Sequence, residues 1–223
     1  MSRYYESVFR ENDVAVRAGA EVARVVGDGA VEAVELAGGD RVPADLVVAG
    51  IGVVPATALF EDAGLELDDG VLVDERLATT VEGVWAAGDV ARYQDVLFGV
   101  RRRVEHWDDA VEQGKLAGRN LMAAPGEAER FEHVPDFFSD VFELSWELWG
   151  DPSGADDVVV RGGIEEGSFS TWWLRERRPV AVFVMARPDD EREAAEPLIR
   201  ARRKVATEAL RDEDRPQRPI QDD

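Results

Sequence analysis

The sequence predicts an α/β segment that runs into a β-rich α+β module closed by a helix. Three observations carry this. Short apolar runs, Leu46-Val47-Val48-Ala49, Val71-Leu72-Val73 and Val84-Trp85-Ala86, are too short for helices and read as buried strands. Beyond the breaker cluster Ala123-Ala124-Pro125-Gly126-Glu127, four runs at 142–149, 157–162, 167–174 and 179–185 are separated by turn residues. Ala194, Ala195, Leu198, Ile199 and Val205 then recur at helical spacing over 191–206.

Taken in order, Tyr4, Tyr5, Val8 and Phe9 suit one face of a helix over residues 1–11, and 14–17 reads as a strand. Residues 21–26 and 31–36 alternate around Gly27-Asp28-Gly29, a hairpin signal, and Gly38-Gly39-Asp40 supplies a further turn. Gly50 and Gly52 leave the apolar run 46–49, as a close approach to a ligand or as a plain strand exit. Residues 56–63 form a short helix capped by Gly64. The run 84–86 leads through Gly88-Asp89 into a helix start, and 90–104 reads as a loop carrying Phe98, Gly99 and the three adjacent arginines 101–103. A helix follows over 105–122, with small residues on one face. In the module beyond it, Phe142, Leu144, Trp146 and Leu148 share a strand face, and residues 175–178 turn between the last two strands. After Arg211 the chain is polar and proline-broken, which predicts disorder.

The 223 residues carry 47 Asp and Glu against 26 Lys and Arg, a formal net charge of -21. Such a surface repels nucleic acid and anionic membranes and predicts a halophilic source, since salt relieves its self-repulsion. Lysine occurs only at 115 and 204. With no cysteine, neither a disulfide nor a thiolate metal site can form within the chain, and two histidines are few for a metal centre, so no metal is expected. No stretch approaches a membrane span and the start has no apolar signal core, so a cytoplasmic protein is expected.

Candidate site residues sit at element ends. Asp89, at the end of a strand, can accept hydrogen bonds from sugar-like hydroxyls; equally, it can cap a helix. Gly88 permits close backbone approach. Arg101, Arg102 and Arg103 match phosphate or carboxylate, or form a solvated cluster. Glu105, His106 and Trp107 open a helix, a place that favours anions; alternatively His106 is a capping or surface histidine and Trp107 a core residue.

The order and spacing of Asp45-Leu46-Val47-Val48-Ala49-Gly50-Ile51-Gly52-Val53-Val54-Pro55, Gly70-Val71-Leu72-Val73-Asp74-Glu75 and Ala86-Ala87-Gly88-Asp89 resemble the FAD-dependent pyridine nucleotide-disulfide oxidoreductase superfamily. The run Arg101-Arg102-Arg103-Val104-Glu105-His106-Trp107 resembles its ferredoxin/rubredoxin reductase and apoptosis-inducing-factor branch. The resemblance extends to about Val205. It implies the C-terminal remnant of a two-dinucleotide-domain flavoprotein reductase, followed by a β-rich interface domain with a closing helix. Residues 1–52 would end an NAD-binding domain, 53–124 would be the second segment of an FAD-binding domain, 125–206 the interface domain and 207–223 a disordered tail.

By the same resemblance Asp89 contacts FAD hydroxyls, His106 and Trp107 lie at the flavin ring, and Gly52, Glu105 and Phe138 border the nicotinamide. Phe138 stands where the family carries Trp, and Ala56 where it carries Asn. Hydride would pass from NAD(P)H to FAD, and electrons onward to ferredoxin, rubredoxin or quinone without a protein dithiol. The family's glycine-rich FAD and NAD fingerprints lie upstream of anything present, so a truncated chain, inactive alone, is expected, with an N-terminal complementing chain as partner. One half of a split flavoenzyme and a non-catalytic dimerisation or interaction module are the alternatives. A homo-oligomer is expected, joined through the strands at 142–149 and 171–185.

Overall fold

The structure, a computed structural model, describes residues 2–212. The chain forms two compact units, Met1–Val53 and Val54–Asp223, so the segments either side of 124/125 belong to one unit.

In the first unit, helix α1 (Ser2–Glu11) precedes an antiparallel meander of β1 (Val22–Val26), β2 (Ala33–Leu36) and β3 (Arg41–Pro43). The expected hairpin forms, with Val26 opposite Ala33. Arg24 and Arg41 converge on Glu35 at 3.0 and 3.2 Å. Two expected strands do not form. Residues 14–17 are irregular and exposed, and so are 46–49 apart from the half-buried Val47. Leu46 is 78% and Val48 86% exposed. An apolar run becomes a strand only where a neighbour pairs with its backbone, and none of the described residues does so here.

The second unit holds two sheets. In the smaller, β4 (Val71–Leu72) runs parallel to β5 (Ala91–Asp95), and β6 (Val100–Arg102) antiparallel to β5. The stretch expected as a loop over 90–104 therefore contains two strands. The expected strand at 84–86 is reduced to a single bridge, Ala78 to Trp85, and the expected helix at 56–63 to a 3-10 turn, Ala58–Phe60. Helix α2 (Trp107–Met122) covers this sheet over a core of Val71, Leu77, Tyr93, Val104, Leu116 and Phe131.

The larger sheet contains β7 (Asp136–Val141), β8 (Leu144–Gly150), β9 (Asp157–Gly163), β10 (Ser168–Arg175) and β11 (Arg178–Met185), all antiparallel, in the order β7-β8-β11-β10-β9. Phe142, expected inside a strand, lies in the β7–β8 turn with φ 54. Glycine is required at 150: its φ is 81, and a Cβ there would lie 2.2 Å from the Val180 carbonyl oxygen. In this order β8, β11 and β10 are paired on both sides, while β7 and β9 form the edges.

Helix α3 (Asp189–Ala201) packs on β11 and β8, and α4 (Thr207–Arg211) on β9. Their core joins Trp172, Leu174, Val182, Ala195, Leu198 and Leu210 to Phe98, which enters from the β5–β6 turn. Arg202 in a left-handed conformation ends α3 five residues before the expected limit of 206. The expected disordered tail is corrected at its start, since 207–211 are helical with Leu210 buried; residues 213–223 lie outside the described residues. Arg161, fully buried, fixes this end: its guanidinium donates to the Leu210 and Asp212 carbonyls and pairs with buried Glu191 at 3.2 Å.

Candidate functional site

Five of the six predicted site residues lie in the second unit, where the β6–α2 connection, the turn at Gly88 and β7 supply them. Gly88–Val90 forms a 3-10 turn whose capping position is Ala87, so Asp89 is not the N-cap; its carboxylate is exposed. Gly88 has φ 77, and a Cβ there would touch the Ala110 Cβ at 3.4 Å, so the close approach it permits is to α2. Behind the turn, Gln113 Oε1 accepts the Gly88 N–H at 2.8 Å and Gln113 Nε2 donates to Asp109 Oδ2 at 2.5 Å.

Arg103 ties the turn to the start of α2. Its Nη1 donates to the Asp89 carbonyl at 3.1 Å and to Glu105 Oε1 at 2.6 Å, and Nη2 reaches Asp69 at 3.3 Å. The three arginines thus have separate tasks. Arg102 pairs with buried Asp95 and with Asp151 and lies over the Phe98 ring, and Arg101 donates to the Val73 carbonyl. None of them is a free phosphate site.

His106 is the residue before the first turn of α2 and caps it in position, though its side chain makes no cap hydrogen bond. Its ring packs against Phe137 at 4.7 Å and meets Phe138 edge-on at 6.1 Å. The structure therefore brings His106 and Phe138 together across 32 residues of sequence. Trp107 is not a core residue; it is 74% exposed, and Phe138 is 63% exposed. Glu105 is also exposed. Gly52 belongs to the first unit, with φ 87 and open space where a Cβ would stand.

A titratable group that sequence reasoning missed lies beneath these residues. Asp109 is fully buried, and burial raises its pKa to about 6 against the opposing charge of His133. Burial also pushes the Tyr93 phenol up, with the Asp109 charge adding to it. His133 Nε2 lies 2.7 Å from Asp108 Oδ2, and Asp136 joins them with ligand atoms all within 4.8 Å. Burial, followed by the hydrogen bond and charge of Asp108, raises the Asp136 pKa. The i, i+4 spacing of Asp109 and Gln113 on one helix was a signal for the first pair. No spacing pointed to the Asp108–His133–Asp136 group.

Asp89, Trp107 and Phe138 are each exposed, and the first turn of α2 leaves backbone amides without an intrahelical acceptor. They offer an acceptor for hydroxyls, flat apolar surface for a ring, and N–H groups for partial negative charge. The chemistry of these side chains is compatible with a flat, hydroxyl-bearing, anionic cofactor.

Residues 1–114 match the pyridine nucleotide-disulphide oxidoreductase family model and 137–220 the reductase C-terminal model. The chain belongs to the pyridine nucleotide-disulphide oxidoreductase family, whose members are FAD- and NAD(P)H-dependent reductases. Within it, the chain falls in the ferredoxin reductase branch. Putidaredoxin reductase of Pseudomonas putida is 33% identical over 99% of this chain and 52% of its own length. Rhodocoxin reductase of Rhodococcus erythropolis is 34% identical over 93% of this chain and 47% of its own. Among solved structures, a ferredoxin reductase from Rhodopseudomonas palustris superposes with a TM-score of 0.86 at 28% identity, covering 95% of this chain and 52% of that one. The chain thus spans about half the length of the relatives it matches.

Proposed function

We propose that this chain is the C-terminal half of an FAD-dependent NAD(P)H oxidoreductase that passes electrons to a ferredoxin, rubredoxin or quinone acceptor. The observation that carries the reading is the meeting of His106 with the exposed Phe138, beside the exposed Trp107, in a chain whose likeness to putidaredoxin reductase covers 99% of its residues. Bound FAD would supply a carrier that takes a hydride and releases electrons singly. The chain's own residues bind and orient it. The Asp89 carboxylate accepts hydroxyl hydrogen bonds, and Arg103 holds its backbone. Trp107 and His106 border the ring, with first-turn amides of α2 favouring negative charge beside it. Glu105 and Phe138 border the nicotinamide. Phe138 offers stacking there but, unlike Trp, no indole N–H.

The remaining contacts come from further protein, either continuous with this chain or a complementing chain. Leu46, Val48 and Ile51 support this, because Ile51 is 94% exposed and isolated apolar runs of this kind mark surfaces that another element covers. A salt-adapted protein accords with the charge of -21. Among the described residues no helix is long and apolar enough to cross a membrane.

Co-expression with a polypeptide carrying the family's glycine-rich fingerprints, followed by a flavin absorbance spectrum, tests the proposal. The complemented protein is expected to be yellow and to reduce a one-electron acceptor from NADH, while the 223-residue chain alone is colourless. A folded complemented protein without flavin overturns the proposal.

A further inference from the structure

A second cavity lies away from Asp89, where the β5–β6 turn, the β10–β11 turn and the end of α3 meet, with a volume of about 250 Å³. Leu97, Phe98, Val180 and Ile199 are among the residues that line it. Its rim is charged and mostly cationic: Arg175, Arg178, Arg202 and Glu176. Arg178 is neutralised by Glu176 at 2.7 Å. Arg175 and Arg202 face no carboxylate among the described residues. Arg175 Nη2 reaches only the Phe98 carbonyl at 3.4 Å, and Arg202 Nη1 only that of Val96 at 3.5 Å, both at the limit of a hydrogen bond. In a protein with 47 acidic and 26 basic residues, two guanidiniums left without an acid beside one hollow call for an explanation.

The backbone makes the same point independently. Arg202 closes α3 at φ 53, a left-handed position where glycine is the usual residue. Glu176 and Arg177 form the β10–β11 turn at φ 51 and 66, where Asn-Gly is favoured. Left-handed conformation costs a non-glycine residue about 1 kcal/mol or more. Of the two arginines without an acid, Arg202 thus stands at a position where glycine would stabilise the fold.

We infer that this cavity binds a small amphipathic monocarboxylate, its apolar body on Leu97, Phe98, Val180 and Ile199 and its carboxylate between Arg175 and Arg202. Planar guanidinium forks match a carboxylate in two-point contact. The volume, below the usual range of about 300–1,000 Å³ for ligand pockets, suits a short-chain acid rather than a nucleotide.

Calorimetric titration of the full chain with hexanoate, and in parallel with hexanol, tests this without any substitution. Hexanoate is expected to bind at least about tenfold more tightly, the increment expected of a charged hydrogen bond. Arg202→Ala and Arg175→Ala are each expected to weaken hexanoate by about tenfold or more, Arg202→Lys by less, with hexanol unchanged. Equal affinity for acid and alcohol, no heat of binding with millimolar hexanoate, or full affinity in a folded Arg175→Ala/Arg202→Ala variant overturns the inference.

Discussion

Gln113 Oε1 accepts the backbone N–H of Gly88 at 2.8 Å, although 25 positions separate the two residues. The same carboxamide donates to Asp109, so a single buried side chain joins the turn that presents Asp89 to the helix that presents Trp107. Gln113→Leu strands the Gly88 amide and leaves Asp109 Oδ2 without its donor. The variant is expected to lose about 2–3 kcal/mol in urea unfolding. A loss within error would show that the link does not hold the turn.

Asp109 makes stability depend on pH in an unusual direction. Its native pKa is raised to about 6, so between the unfolded value near 4 and 6 the native state holds a proton that the unfolded state has released. Its contribution is fully present below about pH 4 and lost as pH rises through 6, a change of roughly 2–3 kcal/mol. Asp109→Asn keeps an acceptor for Gln113 and should flatten this part of the profile. Parallel melting curves from pH 4 to pH 7 read the difference; identical slopes would refute the raised pKa.

Glu191 is buried and receives Arg161, Arg187 and Ser170. Burial alone would raise its pKa, but these donors hold it below the usual carboxylate range. Glu191→Ala leaves the Arg161 charge buried without its acid and is expected to cost about 3–5 kcal/mol. Limited proteolysis should then cut first at 207–212, the segment whose carbonyls Arg161 holds. Cleavage elsewhere with 207–212 intact would separate the ion pair from the docking of α4.

A net charge of -21 predicts that melting temperature rises from low to molar salt as self-repulsion is screened. An unchanged or falling melting temperature would remove the case for salt adaptation.

In the flavin-loaded complemented protein, Asp89→Ala is expected to weaken flavin binding about tenfold to a hundredfold, the effect of a charged hydrogen bond. Trp107→Ala should change flavin fluorescence and the rate of reduction by NADH with a smaller loss of binding. Flavin affinity unchanged in Asp89→Ala would show that the exposed carboxylate does not touch the cofactor.

Local features were legible in sequence and pairings were not. The β1–β2 and β10–β11 hairpins follow from alternation and turn residues within one stretch. β5 was missed because its inward positions are Ala91, Tyr93 and Asp95, and only the tyrosine reads as a large core residue. Residues 46–49 looked more like a strand than β5 does, yet pair with nothing described, since a strand is a relation between two segments. At the site, Asp89 and the 105–107 turn were visible as element ends. That Trp107 faces outward was not, because composition places tryptophan inside. The meeting of His106 with Phe138 depends on where β7 lies beside α2, and no local pattern encodes that.

The strand order of the large sheet also sets a timetable for biosynthesis. β7 and β8 leave the ribosome as a hairpin, but β8 joins the rest of the sheet only through β11, with Ala181 opposite Gly150 and Met185 opposite Trp146. The seam therefore closes only after residues 151–177 have been translated and folded back as β9 and β10. Until then Phe138, on the outer strand of that hairpin, belongs to a two-stranded ribbon without the rest of its sheet. Pausing or premature release before residue 185 is expected to leave Asp89 and Trp107 in a chain whose Phe138 hairpin has no β11 to join.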